Sequence, residues 1–367
     1  MKIINVGVIG GGYMGKAHSV AARSVSAVFE LDAEIVLAGI AASSPASAQR
    51  YAKKFDARIA FDSPEELINS DLIDAVIIAS PQDTHLDYVR ACAAVGKPVL
   101  CEKPMGRNTA EAAEIALAAK DIVNLVGYNY INTPATAHAR QLIADGAIGD
   151  ITWFRGEHNE DFMAPIGSGD GNWRLLGDAN GTLGDLAPHM LQCALTLCGP
   201  INSLVADITS RPEVRDQDPS TPCNDDQVQL MTRFANGANG LLSFSRVAHG
   251  CKMRYAYEIH GTRGSLRFDQ EDQNALWLYQ PEDGPNAGFK RILAGPDHGD
   301  YRYFCQGPAH GTGFQDQIII EQANFFKAIL SNTVAWPSFD DGVAVMRVMD
   351  GIRASHKTSG WISLSNK

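Results

Sequence analysis

Residues 3–15 read Ile3-Ile4-Asn5-Val6-Gly7-Val8-Ile9-Gly10-Gly11-Gly12-Tyr13-Met14-Gly15. The first seven form a largely apolar run, the pattern of a strand buried on both faces. Met14–Phe29 then takes on helical character, with Ala17, Val20, Ala21 and Val28 as an apolar stripe. Gly10-x-Gly12-x-x-Gly15 therefore sits where a strand turns into a helix. Glycine there permits a tight turn and a close approach to a pyrophosphate. The helix start adds free N–H groups and the positive end of a dipole. A glycine-rich turn that merely packs is the alternative, and the flanking strand and helix favour a dinucleotide site on Gly10, Gly12, Tyr13, Met14 and Gly15.

Working outward, strands and helices alternate. Strands are expected at Glu34–Ala41, Arg58–Phe61, Asp74–Ala79, Lys97–Cys101 and Val123–Tyr128. Helices are expected at Pro45–Phe55, Pro64–Ile68, Asp83–Val95 and Thr109–Lys120. This alternation predicts an α/β fold, a Rossmann-type doubly wound parallel sheet. After about Asn129 the pattern changes. A helix at Pro134–Ala144 and an alternating strand at Ile151–His158 precede a polar loop over 159–181 and a helix ending near Cys198. Hairpin signals, Asn236-Gly237 with Asn239-Gly240 and Gly261-Thr262-Arg263-Gly264, then separate short strands over 228–268. Leu276–Tyr279 and Phe289–Leu293 add candidates, and helices near 315–330 and 341–356 close the chain. Arg211–Asp226, with three prolines, reads as an exposed loop. The expectation is a dinucleotide-binding domain over 1–129. A second α+β domain over 130–367 carries a large, mostly antiparallel open sheet for substrate binding and oligomerisation.

The chain has 367 residues, 45% apolar and 20% charged, enough for two cores. A net charge of −11 argues against nucleic acid and anionic membrane surfaces as partners. Seven scattered cysteines, with no CxxC pair, suggest reduced thiols and a cytoplasmic protein. The amino-terminal apolar run is too short and too glycine-broken for a signal peptide. No run approaches the ~18 apolar residues that a membrane span needs. No metal site is expected.

An acid that would hold an NAD ribose belongs ~20 or more residues beyond the glycines. None occurs between Glu34 and Asp56. Ser43, Ser44, Arg50 and Lys53 occupy that region, and the reading leans to NADP over NAD. A plain loop followed by a solvated helix explains the same residues.

Two further signals carry chemistry. Cys101-Glu102-Lys103-Pro104 follows the strand Lys97–Cys101, at the carboxyl end where open α/β sheets hold ligands. Asp185 and His189 are four apart, so one helix would bring them to neighbouring faces. Histidine suits proton transfer near neutral pH. The plain alternatives are a solvated lysine, a helix-capping Asp185 that leaves Pro188 in the first turn, and an ordinary partly buried histidine.

Gly10–Gly15 with His18 just beyond, Cys101–Pro104, and Gly181–His189 together make the chain resemble the glucose–fructose oxidoreductase and inositol dehydrogenase family, Gfo/Idh/MocA. The resemblance covers nearly the whole length. It implies an NAD(P)-dependent dehydrogenase acting on a secondary hydroxyl of a sugar or cyclic polyol, assembled as a homodimer or homotetramer. It implies catalytic roles for Lys103, Asp185 and His189, with substrate held between the nicotinamide and the helix of His189. Lys103 would favour the alkoxide, His189 would take the proton, and Asp185 would orient His189 or a second hydroxyl. Ser80, Pro81, His85, Glu102, Lys103 and Asn129 join the expected cofactor contacts. His158, Asp161, Trp173 and Arg174 join the expected substrate contacts. The peptide before Pro104 is often cis in relatives. Pro188 and Gln192 depart from the family pattern, which usually has a small residue and an acid there. Two rival functions stay open: a non-catalytic dinucleotide-binding regulator, and a glycosidase that uses NAD transiently.

Overall fold

A computed structural model describes residues 2–166, 168, 173–218 and 223–364, apart from the side chains of residues 173, 178, 282 and 283. The chain opens with β1 (Lys2–Ile9), α1 (Tyr13–Val28), β2 (Ala33–Ala41), α2 (Pro45–Phe55) and β3 (Ile59–Ala60). It continues through α3 (Pro64–Asn69), β4 (Ala75–Ile78), α4 (His85–Ala94), β5 (Val99–Glu102), α5 (Thr109–Ala118) and β6 (Asn124–Gly127). Then come α6 (Pro134–Ala144), β7 (Ile151–Asn159), α7 (Thr182–Asp185), α8 (Ala187–Cys198), β8 (Ile201–Thr209), β9 (Gln227–Phe234) and β10 (Asn239–Ser245). The last elements are β11 (Arg254–Gly261), β12 (Ser265–Asp269), β13 (Ala275–Tyr279), β14 (Lys290–Leu293), α9 (Phe314–Ser331), α10 (Phe339–Thr358) and β15 (Ile362–Ser363).

The chain divides into two compact units. The first comprises the chain up to Asn132 and also Gly313–Met346. The second comprises Thr133–Thr312 and the chain from Arg347 onward. A single cut after 129 does not describe this division, because α9 and the start of α10 return to the first unit. Their apolar stripes look alike in sequence whichever unit they cover.

In the first unit six parallel strands run in the order β3-β2-β1-β4-β5-β6. That order is the doubly wound dinucleotide-binding topology. Every residue of β4 and β5 is buried, as two helical layers over a parallel sheet require. The α9 helix packs along α1, where Gln315 Nε2 donates to the Ala17 carbonyl oxygen at 2.9 Å.

The second unit carries a nine-stranded sheet in the order β14-β13-β12-β11-β7-β10-β9-β8-β15. All its pairings are antiparallel except β7 with β10, which is parallel. Alternating burial along β9 and β10 shows one face turned to a core and one outward. The α8 helix packs against β7 and is buried over most of its length.

The exposed loop expected over Arg211–Asp226 is corrected here, for the part outside residues 219–222. Pro212–Arg215 forms a 3-10 turn, and Arg215 and Asp226 are fully buried. Asp226 accepts from Arg215 at 2.9 and 3.1 Å, from Arg246 Nε at 2.8 Å and from the Arg211 N–H at 2.6 Å. Burial pushes its carboxyl pKa up, but the two guanidinium groups and the Arg211 N–H outweigh that and lower it. A buried carboxylate is tolerated when its lone pairs are filled this way.

Candidate active site

The phosphate loop lies between β1 and α1. Gly10 has φ +108°, and a Cβ built there would stand 2.3 Å from the Ala79 carbonyl oxygen. A Cβ on Gly15 would stand 2.2 Å from the Gly10 carbonyl oxygen. Neither position tolerates a side chain. Gly12 differs: nothing lies within 4 Å of a Cβ there. It is exposed and caps α1 without a side chain, and the first turn holds no acid. An open backbone at an uncapped helix start fits a pyrophosphate. Tyr13 is exposed beside it, 5.8 Å between ring centroids from Phe314, and Met14 is half-buried.

Beyond β2, Ser43 is exposed. Ser44 Oγ accepts the Ser47 N–H at 3.3 Å and caps α2. Arg50 stacks over Tyr51 at 4.8 Å from its ring, and Lys53 is exposed.

The ends of β4 and β5 are tied together by His85. This buried ring meets the Ser80 carbonyl oxygen through Nε2 at 3.1 Å and the Met105 carbonyl oxygen through Nδ1 at 3.2 Å. Burial lowers its pKa against the pull of those carbonyls. His85 therefore fixes two loops that carry Ser80, Pro81 and Lys103 rather than presenting its own ring. Pro81 is exposed, and Ser80 Oγ lies 2.6 Å from Thr84 Oγ1.

At the end of β5 the Lys103–Pro104 peptide is cis. Glu102, expected among the cofactor contacts, is buried and turned inward. It lies 2.9 Å from His18 Nε2 and accepts the Lys103 N–H at 3.1 Å. Gln322 Nε2 in turn donates to the His18 carbonyl oxygen at 2.9 Å and lies 3.2 Å from His18 Nδ1. With Nδ1 accepting from that amide, Nε2 carries the proton and donates to Glu102. A chain thus runs Gln322 to His18 to Glu102 to the Lys103 backbone. Lys103 itself is half-buried. Asn129 is also buried, and its amide donates to Gln317 Oε1 at 3.2 Å.

In the second unit, the helix expected to carry both Asp185 and His189 is broken at Leu186. Asp185 ends α7, Leu186 separates the helices, and Pro188 sits in the first turn of α8. Asp185 is thus not the cap of the helix bearing His189. Instead Arg174 Nη1 donates to Asp185 Oδ2 at 3.3 Å. Arg174 also stacks over Phe162, 5.4 Å from its ring. The backbone around Arg174 is clamped from behind. Arg246 Nη1 donates to the carbonyl oxygens of Arg174 and Asn180, each at 2.9 Å. Asn224 Nδ2 donates to those of Arg174 and Gly177 at 3.0 and 2.8 Å.

His189 is buried on α8, and the Tyr255 hydroxyl donates to its carbonyl oxygen at 3.5 Å. His158, expected to line a substrate pocket, is instead almost wholly buried on β7. Its Nδ1 donates to the Leu186 carbonyl oxygen at 2.8 Å, and its Nε2 meets Glu160 at 3.2 Å. The two histidine rings meet edgewise at 5.7 Å. As placed, His158 supports the break at Leu186 and the ring of His189 with both its nitrogens engaged. Asp161 accepts from Lys252 Nζ at 2.6 Å and from the Gly250 N–H at 3.0 Å. The Lys252 hydrogen bond is the main cause of a lowered Asp161 pKa. The Trp173 side chain lies outside the described residues. Gln192 is buried and donates to Thr196 Oγ1 at 3.3 Å.

Residues 4–130 match the family described as "Oxidoreductase family, NAD-binding Rossmann fold", and residues 136–267 match the "GFO/IDH/MocA C-terminal domain". The chain belongs to the Gfo/Idh/MocA family of oxidoreductases. The levoglucosan dehydrogenase of Pseudarthrobacter phenanthrenivorans is 35% identical over 386 residues, covering 99% of each chain. A structure of levoglucosan dehydrogenase in complex with NADH and levoglucosan superposes with a TM-score of 0.94 at 35% identity, covering 100% of both chains. The inositol 2-dehydrogenase of Rhizobium meliloti is 25% identical over 370 residues, covering 99% of each.

Within this Gfo/Idh/MocA chain, several structural residues escaped the sequence reading. Gln317, Glu321 and Gln322 lie on α9, and Gln317 and Gln322 reach partners 188 and 304 residues away, Asn129 after β6 and His18 on α1. Arg215 and Arg246 reach Asp226 from separate segments. The doublet Asp225-Asp226 was the available signal, but no local spacing pairs it with either arginine. Among the described residues, no helix is long and apolar enough to cross a membrane, and no cluster of His, Cys, Asp or Glu is placed to hold a metal ion.

Proposed function

We propose that this enzyme oxidises a secondary hydroxyl of a sugar, anhydrosugar or related cyclic polyol, or reduces the matching ketone, with NAD(P). The observation that carries this reading is end-to-end similarity to a levoglucosan dehydrogenase, together with Lys103, Asp185 and His189 in this chain. A bound nicotinamide would supply the hydride acceptor, and the residues of the chain do the rest. Gly10, Gly12 and Gly15, with the start of α1, hold the pyrophosphate. Lys103 donates to the reacting oxygen and stabilises its developing negative charge. His189 takes the hydroxyl proton and returns it in the reverse direction. Asp185, anchored by Arg174, accepts from a further substrate hydroxyl, and Arg174 donates to another. The enzyme works in the cytoplasm as a homodimer or homotetramer.

The direct test follows nicotinamide reduction over a panel containing levoglucosan, free hexoses and inositols. Reduction with at least one of these supports the reading. Cleavage of a glycoside with no net reduction, or dinucleotide binding with no turnover on any panel member, overturns it in favour of a glycosidase or a regulator.

The absence of an acid after β2 leaves nothing to repel a 2′-phosphate, and Ser43, Arg50 and Lys53 are exposed there. This supports use of NADP. Ser44, committed to capping α2, and relatives solved with NADH weigh toward NAD. We propose that both dinucleotides bind. Each should raise the melting temperature by a similar amount at equal concentration, since native-state ligands stabilise by mass action. A large shift with NAD and none with NADP would contradict this.

A further inference from the structure

Glu321 lies on α9, facing the interior of the first unit, and is almost wholly buried. Among the described residues, neither of its carboxylate oxygens has a hydrogen-bond partner. The charge it feels is that of Glu102. The two carboxyl groups are equipped very differently. Glu102 receives the His18 Nε2–H and the Lys103 N–H, both of which favour an anion. Glu321 receives nothing. A buried carboxyl without donors, in the field of another carboxyl group, keeps its proton.

We propose that Glu321 is a positioning residue for Lys103: held as the neutral acid, it keeps a second negative charge away from Glu102 and so keeps the Gln322–His18–Glu102–Lys103 chain in place. Burial pushes the Glu321 carboxyl well above the usual carboxylate range, and the Glu102 charge adds to this. The ionisable group whose charge acts on Glu321 is Glu102 from β5, which pairs with His18 from α1; the Tyr128 phenol after β6 is buried in the fields of Asp341, Cys101 and Glu102. When alkali removes the Glu321 proton, a second negative charge enters beside Glu102. Repulsion then acts on the very carboxylate that fixes the Lys103 backbone. The enzyme loses activity because Lys103 is misplaced, with the lysine itself unaltered. This role for Glu321 rests on the dehydrogenase reading given above.

The sign for stability follows from linkage. A carboxyl whose pKa is raised in the folded state contributes most below its unfolded value and loses that contribution as pH rises toward the folded value. Glu321→Gln keeps the shape and cannot ionise. The variant should therefore gain on wild type from about pH 4 upward, by up to about tenfold in the folding equilibrium per pH unit, until Glu321 ionises in the folded state. Thermal and urea unfolding of both proteins between pH 4 and 9 read this. A difference that is flat across pH would overturn the proton assignment. The same assignment is read on wild type alone by carbon-13 NMR of the Glu carboxyl groups, where one should stay protonated at pH 7. That measurement decides the matter even if the variant folds poorly.

The positioning role needs a second readout. The alkaline fall of kcat in wild type should move to higher pH in Glu321→Gln. Coincident alkaline limbs in the two proteins would leave Glu321 merely structural and overturn its link to Lys103. The unfolding and NMR results need no turnover, so a failed dehydrogenase assay and a failed proton assignment stay distinguishable.

Discussion

Lys103→Ala is expected to lower kcat/KM by about 10²–10³-fold, nearly all of it in kcat, while dinucleotide affinity stays close to wild type. Removal of one donor aimed at a developing oxyanion typically has an effect of this size, about 2.7–4 kcal/mol. The fold should survive. The Lys103 backbone is held by the Glu102 carboxylate through its N–H, and Glu102 is held by His18. Those bonds do not use the lysine side chain. The split between kcat and KM identifies an interaction made mainly in the transition state. Steady-state kinetics with calorimetric titration of the dinucleotide measure both. Lys103→Arg should also fail, because a planar fork cannot take the place of a compact ammonium. Near-normal turnover in Lys103→Ala would remove the lysine from the chemistry.

His189→Ala is the second large effect, about 10²–10⁴-fold in kcat, the usual contribution of a placed general base. The acid limb of the kcat/KM profile, which protonation of a histidine base imposes, should flatten with it. His189 is set early in α8, whose break from α7 at Leu186 is secured by the His158 bond to the Leu186 carbonyl oxygen. Loss of the imidazole beyond Cβ leaves that support in place. A His189→Ala protein that melts normally, binds dinucleotide and still turns over with an intact acid limb would exclude the histidine as base. His189→Asn provides a check on packing, since it fills part of the space without a titrating ring.

Much of the first unit was legible because its signals are local. A strand buried on both faces is a run of apolar residues, and a phosphate loop is a fixed spacing of glycines. Both survive in the structure as β1, Gly10 and Gly15. The nine-stranded sheet was only partly legible. The hairpin turns near Asn236-Gly237 and Gly261 announced β9 to β12. By contrast β8 was missed, since its burial alternates only weakly along Ile201–Thr209. The parallel pairing of β7 with β10 joins residues 86 apart in the chain, as Asn239 with Trp153, and leaves no local trace. The loop with three prolines hid the reverse case. Arg215 and Asp226 look like solvated surface residues until they pair with each other and Arg246, just beyond β10, adds a second guanidinium to Asp226.

The residues of the candidate site divide along the same line. The position of Lys103 just past a strand and of His189 on a helix could be read from local pattern, and both hold in the structure. What surrounds them could not. His158 carried the same residue type as His189, yet its ring nitrogens serve Leu186 and Glu160. Glu102 looked like a cofactor contact and is occupied by His18. The helix break at Leu186 depends on partners in β7 and could not be read from the spacing of Asp185 and His189.

The central proposal is that Lys103 and His189 serve one and the same chemical step, and a double-mutant cycle on kcat tests it. Residues that act as a unit lose far less in combination than the product of their separate losses. The account predicts that Lys103→Ala/His189→Ala is little slower than the poorer single variant. Losses that multiply would show two independent contributions and contradict it.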